Sequence, residues 1–143
     1  MNPSRKLTII ESPLSDKNGR TMGENLTYLR ECLRDSWNRG ELPFASHGFF
    51  PFFLNEHDAI ERQQGIEAGY AFWTFVPEDL PYDNDQPPTI VFYIDHGHST
   101  GMKLALERAR KLNRVVSFRL LGQSQEIYEE PATPQGDPSN APK

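Results

Sequence analysis

The stretch Thr89-Ile-Val-Phe-Tyr-Ile94 is an unbroken apolar run, and it decides the fold of this chain of 143 residues. Because apolar and polar residues do not alternate in it, the pattern predicts a parallel strand that is buried on both faces. The run ends in Asp95-His-Gly-His-Ser-Thr-Gly101, and the apolar spacing of the next segment, Met102-Lys-Leu-Ala-Leu-Glu-Arg-Ala-Arg-Lys-Leu112, predicts a helix. A buried strand, a turn of small residues and a helix in this order predict a site for a phosphate or carboxylate group. The sequence thus indicates a nucleotide or phosphosugar ligand, whose hydroxyl groups Asp95 would bind.

Strand and helix patterns alternate along the rest of the chain. The capping-box spacing of Thr21 and Glu24 predicts the start of a first helix, and Gly40 predicts its end. The other predicted elements are a first strand at 6–10, a second strand at 42–45, a helical segment at about 56–72 and a last strand at 115–119. The aromatic segment 49–53 is expected to be a loop whose side chains pack in the core, form an interface or stack on a base.

Two helices carry residues whose spacing makes a structural prediction. The predicted buried stripe of the first helix is Leu26, Leu29, Leu33 and Trp37. In the helical segment at 56–72, Gly65 and Gly69 lie four residues apart on one face. Since a glycine costs about 1 kcal/mol in a helix interior, we expect another part of the backbone to approach this face closely.

The order of these elements predicts the fold class. Strands that alternate with helices indicate an α/β protein with right-handed crossovers, here a flavodoxin/Rossmann-like three-layer sandwich around a short parallel sheet of four to five strands. Residues 1–123 form one predicted domain, and the Glu-, Pro-, Gly- and Ser-rich residues 124–143 form a flexible C-terminal tail. The proline- and acid-rich segment 77–88 is a predicted surface loop. Ligands are expected beyond the carboxyl ends of the strands.

Composition and charge exclude several classes of function. With 15 basic against 20 acidic residues the chain carries a net charge of −5, and no basic cluster suits duplex nucleic acid. The single cysteine, Cys32, rules out an internal disulfide and a thiolate metal cage, and the alternating His96 and His98 have no nearby carboxylate cluster. We therefore expect no metal and no cofactor. The lack of a signal peptide and of a membrane-spanning apolar run predicts a cytoplasmic protein, of a prokaryote or of a phage-infected host.

Three short motifs meet at the predicted carboxyl edge of the sheet: Ser12-Pro13, Ser46-His47 and the loop 95–101. In this order and spacing, residues 6–119 resemble the superfamily of nucleoside 2-deoxyribosyltransferases and deoxynucleoside 5′-monophosphate N-glycosidases, and in particular a branch common in phages and bacteria. The segments that carry the resemblance are Ile10-Glu-Ser-Pro13, Asn25, Glu41-Leu-Pro-Phe-Ala-Ser-His47, Glu61-Arg62, Gly65-Ile-Glu-Ala-Gly69 and Tyr93-Ile-Asp-His-Gly-His-Ser-Thr-Gly-Met102.

The resemblance implies a set of site residues. The ligand-binding residues that it implies are Ser12, Pro13, Asn25, Ser46, His47, Gly65, Gly69, Gly97, His98, Ser99, Thr100, Gly101 and Met102. The enzymes that the chain resembles use a glutamate nucleophile six residues after the serine of the phosphate loop, and counting from Ser99 gives Ala105. Alanine cannot form a glycosyl-enzyme ester, so the chain lacks the carboxylate that this chemistry needs.

Two functions from different classes remain open, and a third, partner binding, has no specific motif in the chain. The first, which Ala105 favours, is a binding protein for a nucleotide or a nucleotide derivative on a deoxyribosyltransferase-like fold. The second is an N-glycosidase or deoxyribosyltransferase acting on (deoxy)nucleotides, in which Asp95 and either Glu67 or Glu61 act as acid and base. Asp95 also fits a structural hypothesis, as a cap of the turn into the last helix. The resemblance further implies a homo-oligomer.

Overall fold

The computed structural model describes residues 5–16, 19–75 and 87–129, which form one open sheet with helices. The strands are β1 (Lys6–Glu11), β2 (Glu41–Phe44), β3 (Thr89–Tyr93), β4 (Val116–Arg119) and β5 (Ile127–Glu129). The helices are α1 (Met22–Asn38), α2 (Ser46–Phe49), α3 (Ala59–Ala71) and α4 (Thr100–Lys111), with single 3₁₀ turns at Phe50–Phe52 and Phe72–Thr74. All the strands and helices that the sequence predicts are present.

The sheet has the strand order β2-β1-β3-β4-β5. β1 pairs in parallel with β2 on one side and with β3 on the other, β4 continues the parallel run, and β5 pairs antiparallel to β4. The structure therefore confirms an α/β fold with a mostly parallel sheet. The direction of winding reverses at β1, because the chain goes to β2 on one side and returns to β3 on the other. Such a reversal leaves a crevice at the carboxyl ends of the two strands.

β3 is the centre of the core, as its unbroken apolar run predicts. Residues 90–93 are fully buried, and alternate side chains belong to two different clusters. The first cluster joins Ile90 and Phe92 to Ile9, Trp73, Met102, Ala105, Leu106, Ala109 and Val116. The second joins Val91 and Tyr93 to Ile10, Tyr28, Leu29, Cys32 and Ala45. The first cluster thus contains residues of α4 and the second contains residues of α1.

The buried face of α1 differs from the predicted stripe. The prediction is wrong at Leu26 and Trp37, which are exposed. The residues that α1 buries are Asn25, Tyr28, Leu29, Cys32 and Ser36. The face is displaced because polar side chains on it find partners inside the protein. The Asn25 amide, for example, donates to the carbonyl oxygens of Leu14 and Ser15 at 3.2 and 3.0 Å.

The glycines of α3 allow a close approach of side chains from the segment that precedes it. A Cβ atom at Gly69 would lie 2.5 Å from the Cβ and Oγ atoms of Ser46, and one at Gly65 would lie 3.3 Å from Cβ of Phe50. Both positions therefore admit neighbours that a larger residue would displace, and the neighbours are side-chain atoms rather than the predicted backbone. The segment 49–53 was expected to be a loop, but it ends α2 and continues into a 3₁₀ turn.

The C-terminal segment contains a strand that the sequence does not predict. The predicted flexible tail at 124–143 is wrong for residues 127–129, which form β5. Two arginines hold this segment: the Arg119 guanidinium lies 2.6 Å from the carboxylate of Glu126, and Arg110 donates to Glu129 at 2.7 and 3.0 Å. The strand thus depends on ion pairs more than on an apolar run. Residues 130–143 and most of the predicted loop 77–88 lie outside the described residues.

The longest of the described helices, α1, has 17 residues and a charged outer face. Within the described part of the chain, no helix combines the length and the apolar character needed to cross a bilayer.

Candidate functional site

A cavity of about 280 Å³ opens at the carboxyl ends of β1 and β3, where the winding of the sheet reverses. Glu11 and Ser12 at the end of β1 form one wall, and Thr100 and Gly101 at the start of α4 form another. Residues of α2 and α3, among them His47, form a third wall. The cavity thus lies where open α/β sheets usually bind their ligands.

A second, shallower groove runs along the exposed side of α1. It is larger, about 810 Å³, and charged side chains line it around Trp37 and Leu121. Neither the end of β1 nor the loop after β3 contributes to its lining. Because it lacks the strand ends and the helix start that favour ligand binding, we place the candidate site in the smaller cavity.

The start of α4 presents backbone donors to the cavity. Gly97 has a φ of 76°, a conformation that glycine adopts readily, and it turns the chain toward the helix. Ser99 caps the helix, since its Oγ accepts from the N–H of Met102 at 3.1 Å. The N–H groups of Thr100 and Gly101 come too early for intrahelical bonds, and no acceptor for them is found among the described residues. Both residues line the cavity, so their N–H groups are available to a ligand.

Ser12 and His47 form a hydrogen-bonded pair in the cavity wall. The Oγ atom of Ser12 lies 2.7 Å from Nε2 of His47, and Ser12 is buried. Burial lowers the pKa of His47 to about 4, so the imidazole is neutral at physiological pH. A neutral imidazole has one N–H donor and one acceptor nitrogen. The pair therefore adds polarity to the cavity without adding charge.

Glu11 is a site residue that the sequence analysis misses. It ends β1, and its accessible surface lines the cavity. Burial raises the pKa of the Glu11 carboxyl to about 8, so the group is mainly protonated at neutral pH. The pKa of the nearby Tyr70 phenol is also raised, first by burial and then by the charge of Glu11. The sequence contains one indication of this role: Glu11 follows Ile9 and Ile10 at the carboxyl end of a strand, which is the edge at which ligands are expected.

The position of the expected nucleophile lies in the cavity wall. Ala105 is buried there, and its methyl group offers neither a nucleophile nor a hydrogen bond. Within the described ranges, the carboxyl groups that line the cavity are those of Glu11 and Glu56. The Glu56 carboxylate lies 3.7 Å from Nε of Arg62, which also lines the cavity.

Most of the predicted ligand-binding residues line this cavity. They are Ser12, Ser46, His47, Gly65, Ser99, Thr100, Gly101 and Met102. Those that do not line it are Pro13, Asn25, Gly69, Gly97 and His98. Three of the latter shape the site indirectly, since Asn25 holds the loop after β1, Gly69 admits Ser46, and Gly97 makes the turn before α4.

The predicted acid/base residue Asp95 is engaged outside the cavity. Its carboxylate accepts from the hydroxyl of Tyr28 at 2.5 Å and from the N–H of Leu121 at 3.0 Å. These bonds tie the loop after β3 to α1 and to the segment after β4. The structure thus places Asp95 away from the cavity, and it does not cap the last helix either, because Ser99 is that cap.

The two predicted partners of Asp95 also bond elsewhere. Glu61 accepts from the backbone N–H of Asn55 at 3.2 Å, and Glu67 accepts from the side-chain amide of Gln63 at 3.1 Å. Neither glutamate lines the cavity, although Gln63, the partner of Glu67, does. The structure thus does not bring together the predicted acid/base pair.

The two histidines of the loop after β3 contact different neighbours. The His96 ring lies 4.4 Å from the ring of Tyr28, and the His98 ring lies 5.7 Å from that of Phe118, measured between centroids. In the part of the chain that the structure describes, no three His, Cys, Asp or Glu side chains group so that they could hold a metal ion.

The contacts of Asp95 predict the effect of Asp95→Asn. The amide keeps one acceptor oxygen but loses the charge, so the bonds to Tyr28 and Leu121 weaken. We expect the free energy of unfolding to fall by about 1–3 kcal/mol. Ligand affinity should be unchanged, because Asp95 does not line the cavity. Denaturant unfolding and calorimetric titration measure the two effects, and a stable variant with lost affinity would show instead that Asp95 binds the ligand.

The raised pKa of Glu11 predicts how stability depends on pH. The stabilising contribution of the protonated carboxyl is fully present below the unfolded pKa of 4.5 and is lost as pH rises through the folded pKa of about 8. Glu11→Gln keeps the shape and stays neutral. We therefore expect its melting temperature, relative to that of the native chain, to rise steadily between about pH 5 and about pH 9.

His47, the other titratable group of the cavity whose pKa is strongly shifted, does not disturb this comparison of melting temperatures. The folded pKa of His47, about 4, lies below its ordinary value of 6.5, so its stabilising contribution is lost as pH falls through that range. Both proteins contain His47, and its effect cancels in the difference between their melting temperatures. A difference that stays constant over the whole pH range would show that Glu11 does not titrate as described.

The chain belongs to the family described as Domain of unknown function (DUF7768), whose pattern matches residues 6–119. The matched range begins with the first residue of β1 and ends with the last residue of β4. It therefore contains every wall of the cavity. No curated protein and no solved structure matches the chain.

Proposed function

For this member of the DUF7768 family, we propose that the cavity binds a nucleotide or a nucleotide derivative and that the protein acts as a binding module. The observation that carries the proposal is the pair of free N–H groups of Thr100 and Gly101, which open onto a cavity at the carboxyl ends of β1 and β3. The flavodoxin/Rossmann-like three-layer arrangement that the sequence predicts is part of the proposal, since such folds bind phosphorylated ligands at this edge.

The phosphate group belongs at the start of α4. Free backbone N–H groups and the positive end of the helix dipole both favour an anion there. The adjacent polar groups do not oppose it: His47 is neutral, and Glu11 is mainly protonated at neutral pH. A phosphate at this position therefore meets donors without meeting an ionised carboxylate of β1.

The remainder of the ligand belongs against the opposite wall. Phe50, Ile66 and Tyr70 give this wall an apolar and aromatic character that suits the flat face of a base or a sugar. The volume of about 280 Å³ is at the lower end of the roughly 300–1,000 Å³ that ligand pockets usually have. This size favours a mononucleotide over a dinucleotide.

The alternative function is an N-glycosidase or deoxyribosyltransferase that acts on (deoxy)nucleotides. It requires a carboxylate at the sugar C1′, and Ala105 provides none. Glu11 and Glu56 are the cavity carboxyl groups from which such an activity would have to start. Chromatography of each bound ligand distinguishes the two functions, because binding returns the ligand intact whereas glycosidase activity releases the free base.

We also propose that the protein associates with itself through the aromatic segment beside the cavity. Phe52 and Phe53 are 91% and 58% exposed, and Ile60 is 72% exposed. Large exposed apolar side chains that occur together mark an interaction surface. Sedimentation equilibrium should give an oligomer for the native chain and a shift toward monomer for Phe52→Ser, and a native monomer would contradict the proposal.

Thr100→Pro tests the proposed phosphate contact directly. Thr100 is the first residue of α4, where proline is tolerated because the N–H is not needed by the helix. The substitution therefore removes one donor from the cavity and leaves the helix intact. We expect the affinity for nucleoside monophosphates to fall by roughly tenfold, which corresponds to about 1.4 kcal/mol, and that for the uncharged nucleosides to change little.

The matched control is Ala59→Pro, at the first residue of α3 and outside the cavity. It removes an equivalent N–H from another helix, so its ligand affinity should equal that of the native chain. Thermal-shift screening finds the ligands, and calorimetric titration compares the variants. Equal affinities for Thr100→Pro and Ala59→Pro would overturn the phosphate site at α4.

A further inference from the structure

Glu11 is a polar group of the cavity that has no partner of its own. Ser12 and His47 bond to each other, and Glu56 lies beside Arg62. Within residues 5–16, 19–75 and 87–129, no side chain or backbone group forms a hydrogen bond or ion pair with the Glu11 carboxyl. Because the carboxyl lines the cavity and the polar groups beside it already have partners, Glu11 is free to form hydrogen bonds with a ligand there.

We propose that Glu11 binds the ligand as a neutral carboxylic acid, donating its O–H to one ligand atom and accepting from a neighbouring one through its second oxygen. The inference rests on the function proposed above, and it adds a residue and a ligand chemistry to it. The ligand must offer an acceptor next to a donor. The edge of a nucleobase and a pair of sugar hydroxyl groups both have this arrangement.

The surroundings of Glu11 favour the neutral form. The titratable and charged groups that line the cavity with Glu11 are His47 from α2, Glu56 from the segment before α3, and Arg62 and Tyr70 from α3; Arg108 of α4 lies over the Tyr70 ring. His47 is neutral, and the two arginines have other contacts: Arg62 lies near Glu56, and the Arg108 guanidinium lies 4.3 Å from the centre of the Tyr70 ring. Burial alone raises the pKa of Glu11, and no nearby charge among the described residues offsets it.

Protonation of Glu11 and binding of the ligand's phosphate are thermodynamically linked. An ionised Glu11 would repel a phosphate in the same small cavity, whereas a protonated one would not. Because the pKa of Glu11 is about 8, the binding-competent form dominates at neutral pH and declines above that value. By linkage, a bound anion favours the protonated form, so the protein takes up protons when the ligand binds near this pH.

The experiment measures affinity and proton uptake by calorimetric titration at about pH 7 and about pH 9, in buffers with different ionisation enthalpies. A phosphate monoester has its second pKa near 6 and changes little over this range, so a pH effect belongs to the protein. The probes are ribonucleoside 5′-monophosphates and ribose 5-phosphate, which share a vicinal pair of sugar hydroxyl groups and differ in the base. The variants are Glu11→Gln, Glu11→Ala and, as a control carboxyl on the outer side of α4, Glu107→Gln.

The native chain should bind a monophosphate roughly tenfold more weakly at about pH 9 than at about pH 7, because one pH unit above the pKa leaves about a tenth of the carboxyl protonated. Glu11→Gln presents an N–H donor and a carbonyl acceptor, so it should keep the affinity seen at pH 7 and lose both the pH dependence and the proton uptake. Glu11→Ala should lose affinity at both pH values, and Glu107→Gln should behave as the native chain.

The probes identify the ligand group that Glu11 contacts. A Glu11→Ala effect on both probes assigns the contact to the sugar hydroxyl groups, and an effect on the nucleotides alone assigns it to the base. Native affinity that is equal at both pH values, or Glu11→Gln binding as weakly as Glu11→Ala, overturns the inference. Those results leave the proposed function standing if Thr100→Pro still weakens binding, whereas a native chain that binds no probe overturns both.

Discussion

The parallel pairing of β1 with β3 is the constraint on which the rest of the structure depends. In this register Glu11 pairs with Phe92, so the end of β1 lies beside the end of β3. Because the strands are parallel, the loop after each leaves at the same edge of the sheet. The chain has gone to β2 and returned on the other side of β1, so none of the described strands fills the space between the two loops. The cavity results from this reversal, and α3 and α4 close its remaining sides.

Burial then determines the electrostatic character of the cavity. It raises the pKa of Glu11 and lowers that of His47, so both groups are mainly neutral near pH 7. The dipole and the free N–H groups at the start of α4 act on any ligand without opposition from these two residues. Under the proposed function, a cavity with this character suits an anion at one end and a polar, uncharged group at the other, although the chain has a net charge of −5.

The sequence predicts the order of elements well, because β3 has an unbroken apolar run and the turn into α4 has small residues followed by helical apolar spacing. It predicts side-chain partners poorly. Asp95 bonds to Tyr28, a residue 67 positions away, and no local pattern reveals such a contact. Glu11 is not predicted as a site residue, because in the sequence a glutamate at the end of a strand cannot be distinguished from an exposed surface residue. The short strand β5 is held by ion pairs, which leave no apolar pattern in the sequence.

The central claim is that a phosphorylated ligand occupies the cavity with its phosphate at the start of α4. The most direct measurement is a titration of ¹⁵N-labelled protein with a deoxynucleoside 5′-monophosphate, followed by amide NMR. The account predicts that the amide signals of Thr100 and Gly101 shift most, together with those of Ser12 and His47. Shifts confined to the groove along α1 around Trp37, or no shifts at saturating ligand, would contradict it.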